Sequence, residues 1–196
     1  PPTIKEIESF LADASENSHE RVVDRLLDSA ACAERLTSEW LDVARYADTY
    51  GYQRDDERYV WPYRDWVLEA FRSNMPFDRF TVDQLAGDLL PDPTIEQLIA
   101  SGFHRNHVTS DEGGAIADEY LLEYAVDRVE TTGAVWLGLT VGCARCHDHK
   151  FDPISQQDFY NLIAFFNNVE QPGIYTQVPD SNRAFEPSLE IPRDDD

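Results

Sequence analysis

The chain has 196 residues, and a chain of this length buries roughly 70% of its unfolded surface on folding, so a domain with a substantial core is expected. Lysine and arginine total 16 against 38 aspartates and glutamates, which sets the formal net charge at −22 and the pI near 4.3. Such a charge repels nucleic-acid phosphates and anionic lipid headgroups, and it therefore argues against a nucleic-acid or membrane-surface protein.

Three further features narrow the class of protein. No apolar run reaches the roughly 18 residues that a membrane span needs. Three cysteines are too few for a disulfide-stapled scaffold, and the close spacing of Cys143 and Cys146 points instead to a cofactor or a metal. The Pro-Pro start lacks the basic and apolar regions of a signal peptide, so we expect either a cytoplasmic protein or a domain whose export signal lies elsewhere.

Helical periodicity dominates the chain from its first residues onward. Amphipathic helices are predicted over 3–13, 19–28, about 31–46, 62–75, 81–89, 94–103, about 118–136 and 155–166. The first two are expected to pack as a hairpin. Pro62 suits a first helical turn, and Thr81, Thr94 and Ser155 can each cap the free N–H groups of the helix that they open.

The connecting segments read as irregular rather than extended. Residues 50–59 form a polar loop, and Gly113-Gly114 marks a sharp turn. We find no internal repeat and no strand pattern, and we therefore predict a mainly α, single-domain, irregular helical bundle over 1–170. Four prolines and an acidic end follow, and they predict an extended tail or the start of a following domain over 171–196.

The stretch Cys143-Ala144-Arg145-Cys146-His147 has the C-x-x-C-H pattern of a c-type haem attachment site. Residues three and four apart share one face of a helix, so in a helical segment both sulfurs and the imidazole point the same way. Cys143 and Cys146 could then form thioethers with the porphyrin vinyl groups, and His147 could bind the iron as proximal ligand. We therefore predict covalently attached haem c.

Two other readings of the same residues stay open. Four zinc ligands could come from Cys143, Cys146, His147 and His149. Ligands crowded within seven residues would strain the tetrahedral geometry, however, and the sequence has no second C-x-x-C or H-x-x-H pair to supply some of the ligands. A redox-active C-x-x-C of the thioredoxin type lacks its expected βαβ context.

Several long motifs carry a resemblance to a known family. They are Trp40–Asp48, Asn74–Asp78 with Gln84–Asp88, Asp127–Thr132, Trp136–Thr140 and Cys143–Ile154. In these stretches the chain resembles the planctomycete-type cytochrome domain family, and the resemblance runs from Pro1 to about Asn168. Members resemble modules of large exported proteins, in which a cytochrome c-like domain often precedes this one and a further domain follows.

The resemblance implies a haem-linked redox role outside the cytoplasm, in the periplasm or in an exported protein. The expected partners are other haem or redox domains of the same or another protein. For the iron ligand opposite His147, the first candidate is His107, which matches the family motif and lies in a polar loop before the Gly113-Gly114 turn. The alternative is a loop histidine that caps a helix or titrates in solvent.

Arg105, Arg128 and Arg145 are candidates for binding the haem propionates, because a guanidinium group matches a carboxylate with two parallel hydrogen bonds. Arg128 could equally pair with Asp127 or Glu130 on a solvated helix face. 

The function expected from the sequence is a c-type haem-binding electron-transfer module of a larger exported protein. A peroxidase-like haem enzyme, in which Arg105 and His107 act on a bound peroxide, is one alternative. A non-redox interaction module stabilised by zinc is the other.

Overall fold

A computed structural model describes residues 1–51, 55–175 and 187–191. Over these ranges the chain forms eight α-helices and no β-strand, which confirms the predicted mainly α class. The helices are α1 (Ile4–Ala12), α2 (Ser18–Leu27), α3 (Ala30–Val43), α4 (Trp61–Arg72), α5 (Phe77–Ala86), α6 (Ile95–Ala100), α7 (Ala117–Thr132) and α8 (Gln156–Ile163). Short 3₁₀ helices span Gly87–Leu89, Ser101–Arg105 and Val141–Arg145, and a π-helical turn spans Gly133–Leu137.

Two of the three predicted caps are confirmed. The hydroxyls of Thr94 and Ser155 accept hydrogen bonds from backbone N–H groups three residues later, each as part of a capping box. The third prediction is wrong, because α5 begins at Phe77 after Pro76, four residues before Thr81. The Thr81 hydroxyl instead donates to the carbonyl of Phe77 at 2.7 Å, a bond that threonine forms inside a helix as readily as it caps one.

A first core lies between α3, α4, α5 and the 3₁₀ helix Ser101–Arg105. Its fully enclosed members include Val67 and Phe103, and the rings of Trp40, Trp66 and Phe80 pack edge-on or stacked within it. Aromatic pairs of this kind add about 0.5–1.5 kcal/mol each beyond the apolar area that they bury. This core therefore holds the N-terminal half of the domain together.

A second core lies between α7, α8 and the 3₁₀ helix Val141–Arg145. Val126 of α7 and Phe159 of α8 meet the buried side chains of Val141 and Ala144 there. The π-helical turn that extends α7 carries Trp136 onto the first core. Helix α7 is thus the element that both cores share.

The first two helices differ from the rest because neither contains a buried residue. They contact each other, as the predicted hairpin requires, and α2 also contacts α3. Arg25 of α2 reaches back to Glu6 of α1 at 2.7 Å. Much of their apolar surface stays exposed, including Ile4 and Leu11.

Packing of the chain continues through Tyr175, five residues past the predicted boundary at 170. The Tyr175 ring is buried, and its backbone N–H donates to Ser110 at 2.9 Å. The Tyr124 hydroxyl also donates to the carbonyl of Gly173 at 2.9 Å. Most of the predicted tail, 176–186 and 192–196, lies outside the described residues. No helix in the described ranges is both long and apolar enough to span a bilayer.

Candidate functional site

Residues 143–147, hereafter the Cys–His segment, lie between the second core and the solvent. Ala144 is fully buried, whereas Cys143, Cys146 and His147 are exposed. Cys143 lies in the 3₁₀ helix Val141–Arg145, and Cys146 is the C-cap of that helix. The backbone N–H of Cys146 donates to the carbonyl of Cys143 at 3.5 Å, so this turn keeps the two cysteines close together. The segment therefore has an apolar inner side anchored in the core and an outer side that carries its reactive groups.

The protonation state of His147 follows from its hydrogen bonding. Its Nδ1 lies 2.8 Å from the backbone carbonyl of Asp148, and because a carbonyl can only accept, Nδ1 carries the proton in the neutral ring. Nε2 then holds a lone pair, and among the described residues no group donates to it. A backbone carbonyl on one ring nitrogen is the arrangement that orients a histidine for metal binding through the other.

Helix α8 holds the segment in place through its first turns. Gln156 Nε2 and the Tyr160 hydroxyl donate to the carbonyl of Arg145, at 3.0 and 3.2 Å. The Asp148 carboxylate accepts from the backbone N–H of Gln156 at 2.8 Å. These bonds fix the backbone on both sides of His147, so its imidazole is presented by a supported loop.

The side chains that a zinc site would need do not converge. His149 turns away from the segment, because its Nδ1 accepts from the backbone N–H of Asp152 at 2.9 Å. Nowhere in residues 1–51, 55–175 and 187–191 do three or more His, Cys, Asp or Glu side chains form a group that could hold a metal ion. Both cysteines of the segment are free thiols. This donor set, two thiols and one imidazole on an open side, suits haem c better than a tetrahedral ion.

His107 lies in a different environment, with only 1% of its surface exposed. Its ring stacks on Tyr124 of α7 at 4.5 Å between centroids. Nδ1 donates to the carbonyl of Val108 at 2.9 Å, and Nε2 accepts from Arg128 Nη2 at 2.9 Å. Both ring nitrogens are therefore occupied.

The structure does not bring His107 to the Cys–His segment. An α-helix turns about 100° per residue, so Val126 lies roughly 200° around α7 from both Tyr124 and Arg128. Val126 packs beneath the Cys–His segment, whereas Tyr124 and Arg128 contact His107. The two sites thus contact different residues of α7, and ligation of the same iron by His107 stays a prediction that would require Nε2 to leave Arg128.

Arg128 is almost fully enclosed, at 1% exposure, and pairs with neither Asp127 nor Glu130. Its Nε donates to the carbonyl of His104 at 2.9 Å, and Nη2 donates to Gln171 Oε1 at 2.7 Å. Nη1 is buried without a hydrogen-bond partner among the described groups. Burial, reinforced by the nearby charge of Arg105, lowers the pKa of Arg128 to about 10.

The same environment disfavours protonated histidine. Burial lowers the pKa of His104 to about 4, and the Arg128 charge adds to that shift, although the bond to the carbonyl of Leu85 opposes it. The pKa of His107 falls well below its usual range, first because of burial and then because of Arg128. Both imidazoles are therefore neutral at pH 7.

The three arginines predicted to bind propionates are separated in the fold. Arg105 and Arg128 share Gln171 Oε1, at 3.4 and 2.7 Å. Arg145 belongs to the Cys–His segment and forms a two-point ion pair with Glu123 of α7. Only Arg145 is therefore next to the cysteines, and its guanidinium group is already paired with the carboxylate of Glu123.

Sequence reasoning missed Arg58. It lies in the polar loop 50–59, where a charged residue is expected to be solvated, yet only 8% of it is exposed. Arg58 Nη1 donates to the carbonyl of His107 at 3.1 Å, and Nη2 donates to that of Arg105. No local signal reveals this burial, because its partners lie 47 and 49 residues away in the chain.

Comparison with known proteins gives one match. A family model described as PSCyt2, protein of unknown function (DUF1549), matches residues 1–171. No curated protein and no solved structure matches the chain significantly.

Proposed function

The chain belongs to the PSCyt2 family of unknown function, and we propose that it is a c-type haem-binding electron-transfer module of a larger exported redox protein. One observation carries the proposal: Cys143, Cys146 and His147 are exposed on a segment whose inner side is fixed in the core. The motifs that resemble the planctomycete-type cytochrome domain family support the same function.

Attachment would use the two free thiols. Each S–H adds across one vinyl group, so that a C–S bond forms at one vinyl carbon and the hydrogen moves to the other, with no net electron transfer. Cys143 and Cys146 would hold the group, and His147 Nε2, the nitrogen with the available lone pair, would bind the iron. Bound haem would supply a one-electron iron couple.

The surrounding residues of the chain would position that group rather than enclose it. The carbonyl of Asp148 keeps the His147 proton on Nδ1, and a hydrogen bond of this kind raises the basicity of the ligating nitrogen. Anchoring of Ala144 in the second core keeps the segment from swinging. An outward-facing site would let another haem or redox domain approach closely, which suits electron exchange with a partner.

Mass spectrometry of the full chain tests this proposal directly. The chain is exported to the periplasm of a bacterium that performs c-type haem maturation, and its mass is measured under denaturing conditions. We expect the mass of one added haem. The double variant Cys143→Ala/Cys146→Ala is expected to retain none, whereas Cys32→Ala, which changes the only other cysteine, is expected to retain it fully.

Spectroscopy of the same material separates the alternatives. Haem that is six-coordinate in both oxidation states supports an electron carrier, and a five-coordinate iron that reacts with peroxide favours the enzyme. Colourless protein with one zinc per chain favours the zinc-stabilised module. An unmodified mass from a host that matures a co-expressed control cytochrome c overturns the proposal.

A further inference from the structure

A cleft of about 190 Å³ opens beside Arg105 and His107. It lies between the loop 50–59, the 3₁₀ helix Ser101–Arg105 and the chain around Tyr175. We call it the arginine cleft, and its polar lining consists chiefly of Tyr50, Arg58, Tyr63, Arg105, His107 and Tyr175. Further lining residues are Pro187, Ser188, Leu189 and Ile191.

Positive charge is concentrated at this cleft and is not neutralised. Within the described ranges, Arg58, Arg105 and Arg128 have no carboxylate within ion-pair distance, and all their hydrogen bonds go to carbonyl, amide or imidazole groups. In contrast, Arg72 and Arg145 each pair with a glutamate.

Burial makes this arrangement costly for the folded protein. A guanidinium group does not deprotonate in proteins, so a buried arginine remains charged and requires compensation. The Arg58 guanidinium donates hydrogen bonds to two backbone carbonyls and lies over the Tyr50 ring, with 5.2 Å between Cζ and the ring centroid. The Nε of Arg58 is buried without a hydrogen-bond partner among the described groups. Arg105 makes a single long bond of 3.4 Å to Gln171. Among the described residues, neither arginine has a carboxylate partner.

The remaining walls of the cleft are apolar. They include Val60, Leu98 and Ile99 together with the tyrosine rings. Aromatic and aliphatic walls around a few convergent polar groups are the usual make-up of a small-molecule site. The cleft is smaller than the roughly 300–1,000 Å³ typical of drug-sized ligands. None of Cys143, Cys146 and His147 lines it, so it is not the site proposed for the haem macrocycle.

We propose that the arginine cleft binds a small organic anion, with its carboxylate, sulfate or phosphate group on Arg105 and Arg58 and its apolar or ring-shaped body against the tyrosines. The guanidinium group of Arg105 would bind the anionic group directly, because Arg105 lines the cleft and donates the fewest hydrogen bonds of the three arginines. Two neighbours hold that guanidinium group in place: Arg58 bonds to the carbonyl of Arg105, and Arg128 shares Gln171 with it. The inference is independent of the haem proposal, since it uses none of the Cys–His segment.

Calorimetric titration of the full chain, in parallel with thermal unfolding, tests the inference. The probes are inorganic sulfate, inorganic phosphate, benzoate and phenyl phosphate, at ionic strength matched with sodium chloride, and benzamide is the neutral counterpart of benzoate. We expect saturable binding of benzoate or phenyl phosphate, weaker binding of the inorganic ions, and none of benzamide. At about tenfold excess over Kd, the bound anion should raise Tm by roughly 3–5 °C.

The variant Arg105→Gln is expected to weaken anion binding by at least about tenfold, as loss of a charge-assisted pair predicts. The control Arg72→Gln removes an exposed arginine of α4 that pairs with Glu69, and it should bind the anions like the unchanged protein. Preference for the inorganic ions over the organic ones would contradict the apolar part of the site. Absence of saturable binding for every anion, or equal affinity in Arg105→Gln, would overturn the proposal, and the first of these results needs no variant to fold.

Discussion

Two regions beside α7 use similar residue types in opposite ways: one presents them to solvent and the other turns them inward. In one region the Cys–His segment turns its thiols and an imidazole outward from a small apolar base. In the other, His107 and three arginines are folded inward and joined by backbone carbonyls. The thiols and the imidazole of the Cys–His segment stay accessible on a supported loop, whereas the inward cations organise the loop 104–107 and a cleft. The contrast predicts different sensitivities to mutation and to pH.

Arg128→Met should give the largest effect. It removes the donor to the carbonyl of His104, to His107 Nε2 and to Gln171, and buried acceptors without partners destabilise the fold. Each acceptor left unpaired costs about 1–3 kcal/mol, and removal of a buried charge offsets part of that loss. We therefore expect the free energy of unfolding to fall by about 2–4 kcal/mol in urea titrations. The haem attachment that we propose for the Cys–His segment should be unaffected in the folded variant, because Arg128 makes no hydrogen bond to that segment.

Arg145→Gln is the matched change on the Cys–His face. The Arg145–Glu123 pair is partly exposed, with 36% and 43% of the side chains accessible, and such a pair contributes about 0.2–1 kcal/mol. Equal losses of stability in the two arginine variants would break the comparison between the faces.

Acid should destabilise the inward face through its buried histidines. The folded-state pKa of His104 is lowered from 6.5 to about 4 by burial and by Arg128, so the unfolded chain binds the proton first as pH falls. Stability is therefore fully present above pH 6.5 and declines between pH 6.5 and 4. One histidine contributes up to about 3 kcal/mol to this decline, and His107 acts in the same direction.

The variant His104→Gln isolates that contribution, because an amide can still donate to the carbonyl of Leu85, which His104 Nε2 meets at 3.2 Å. The free energy of unfolding, measured by urea titration at several values of pH, should change less steeply with pH in the variant than in the unchanged protein between pH 6.5 and 4. Identical slopes for both proteins would mean that the buried face does not resist protonation. His19→Gln, on exposed helix α2, is the control and should leave the slope unchanged.

Two glycines beside the Cys–His segment give the most local test. A Cβ at Gly133 would lie 2.8 Å from the buried side chain of Val141, whereas a Cβ at Gly142 would meet the flexible carboxylate end of exposed Glu130 at 2.5 Å. We expect Gly133→Ala to cost about 1–3 kcal/mol in thermal unfolding, since a packed core resists added volume. Gly142→Ala should cost less than about 0.5 kcal/mol, and the reverse order would show that the segment is not anchored as described.

Much of the fold could be predicted from local patterns. All eight helices occur near their predicted positions, because apolar periodicity and capping depend on residues within a few positions of each other. The start of α5 was misplaced because the Thr81 hydroxyl can bond either forward to N–H groups or back to a carbonyl. The Cys–His segment was evident for the same local reason, since its five residues carry the pattern by themselves.

The sequence alone therefore determined the helical class, most of the helix boundaries and the presence of a Cys-x-x-Cys-His segment. Only the tertiary structure decided that His107 faces Arg128 rather than His147, that Arg58 is buried, and that Arg145 pairs with Glu123. These contacts join residues 21 and more positions apart. Spacing along the chain carries no information about such pairs, because the packing of whole helices sets which of their faces meet.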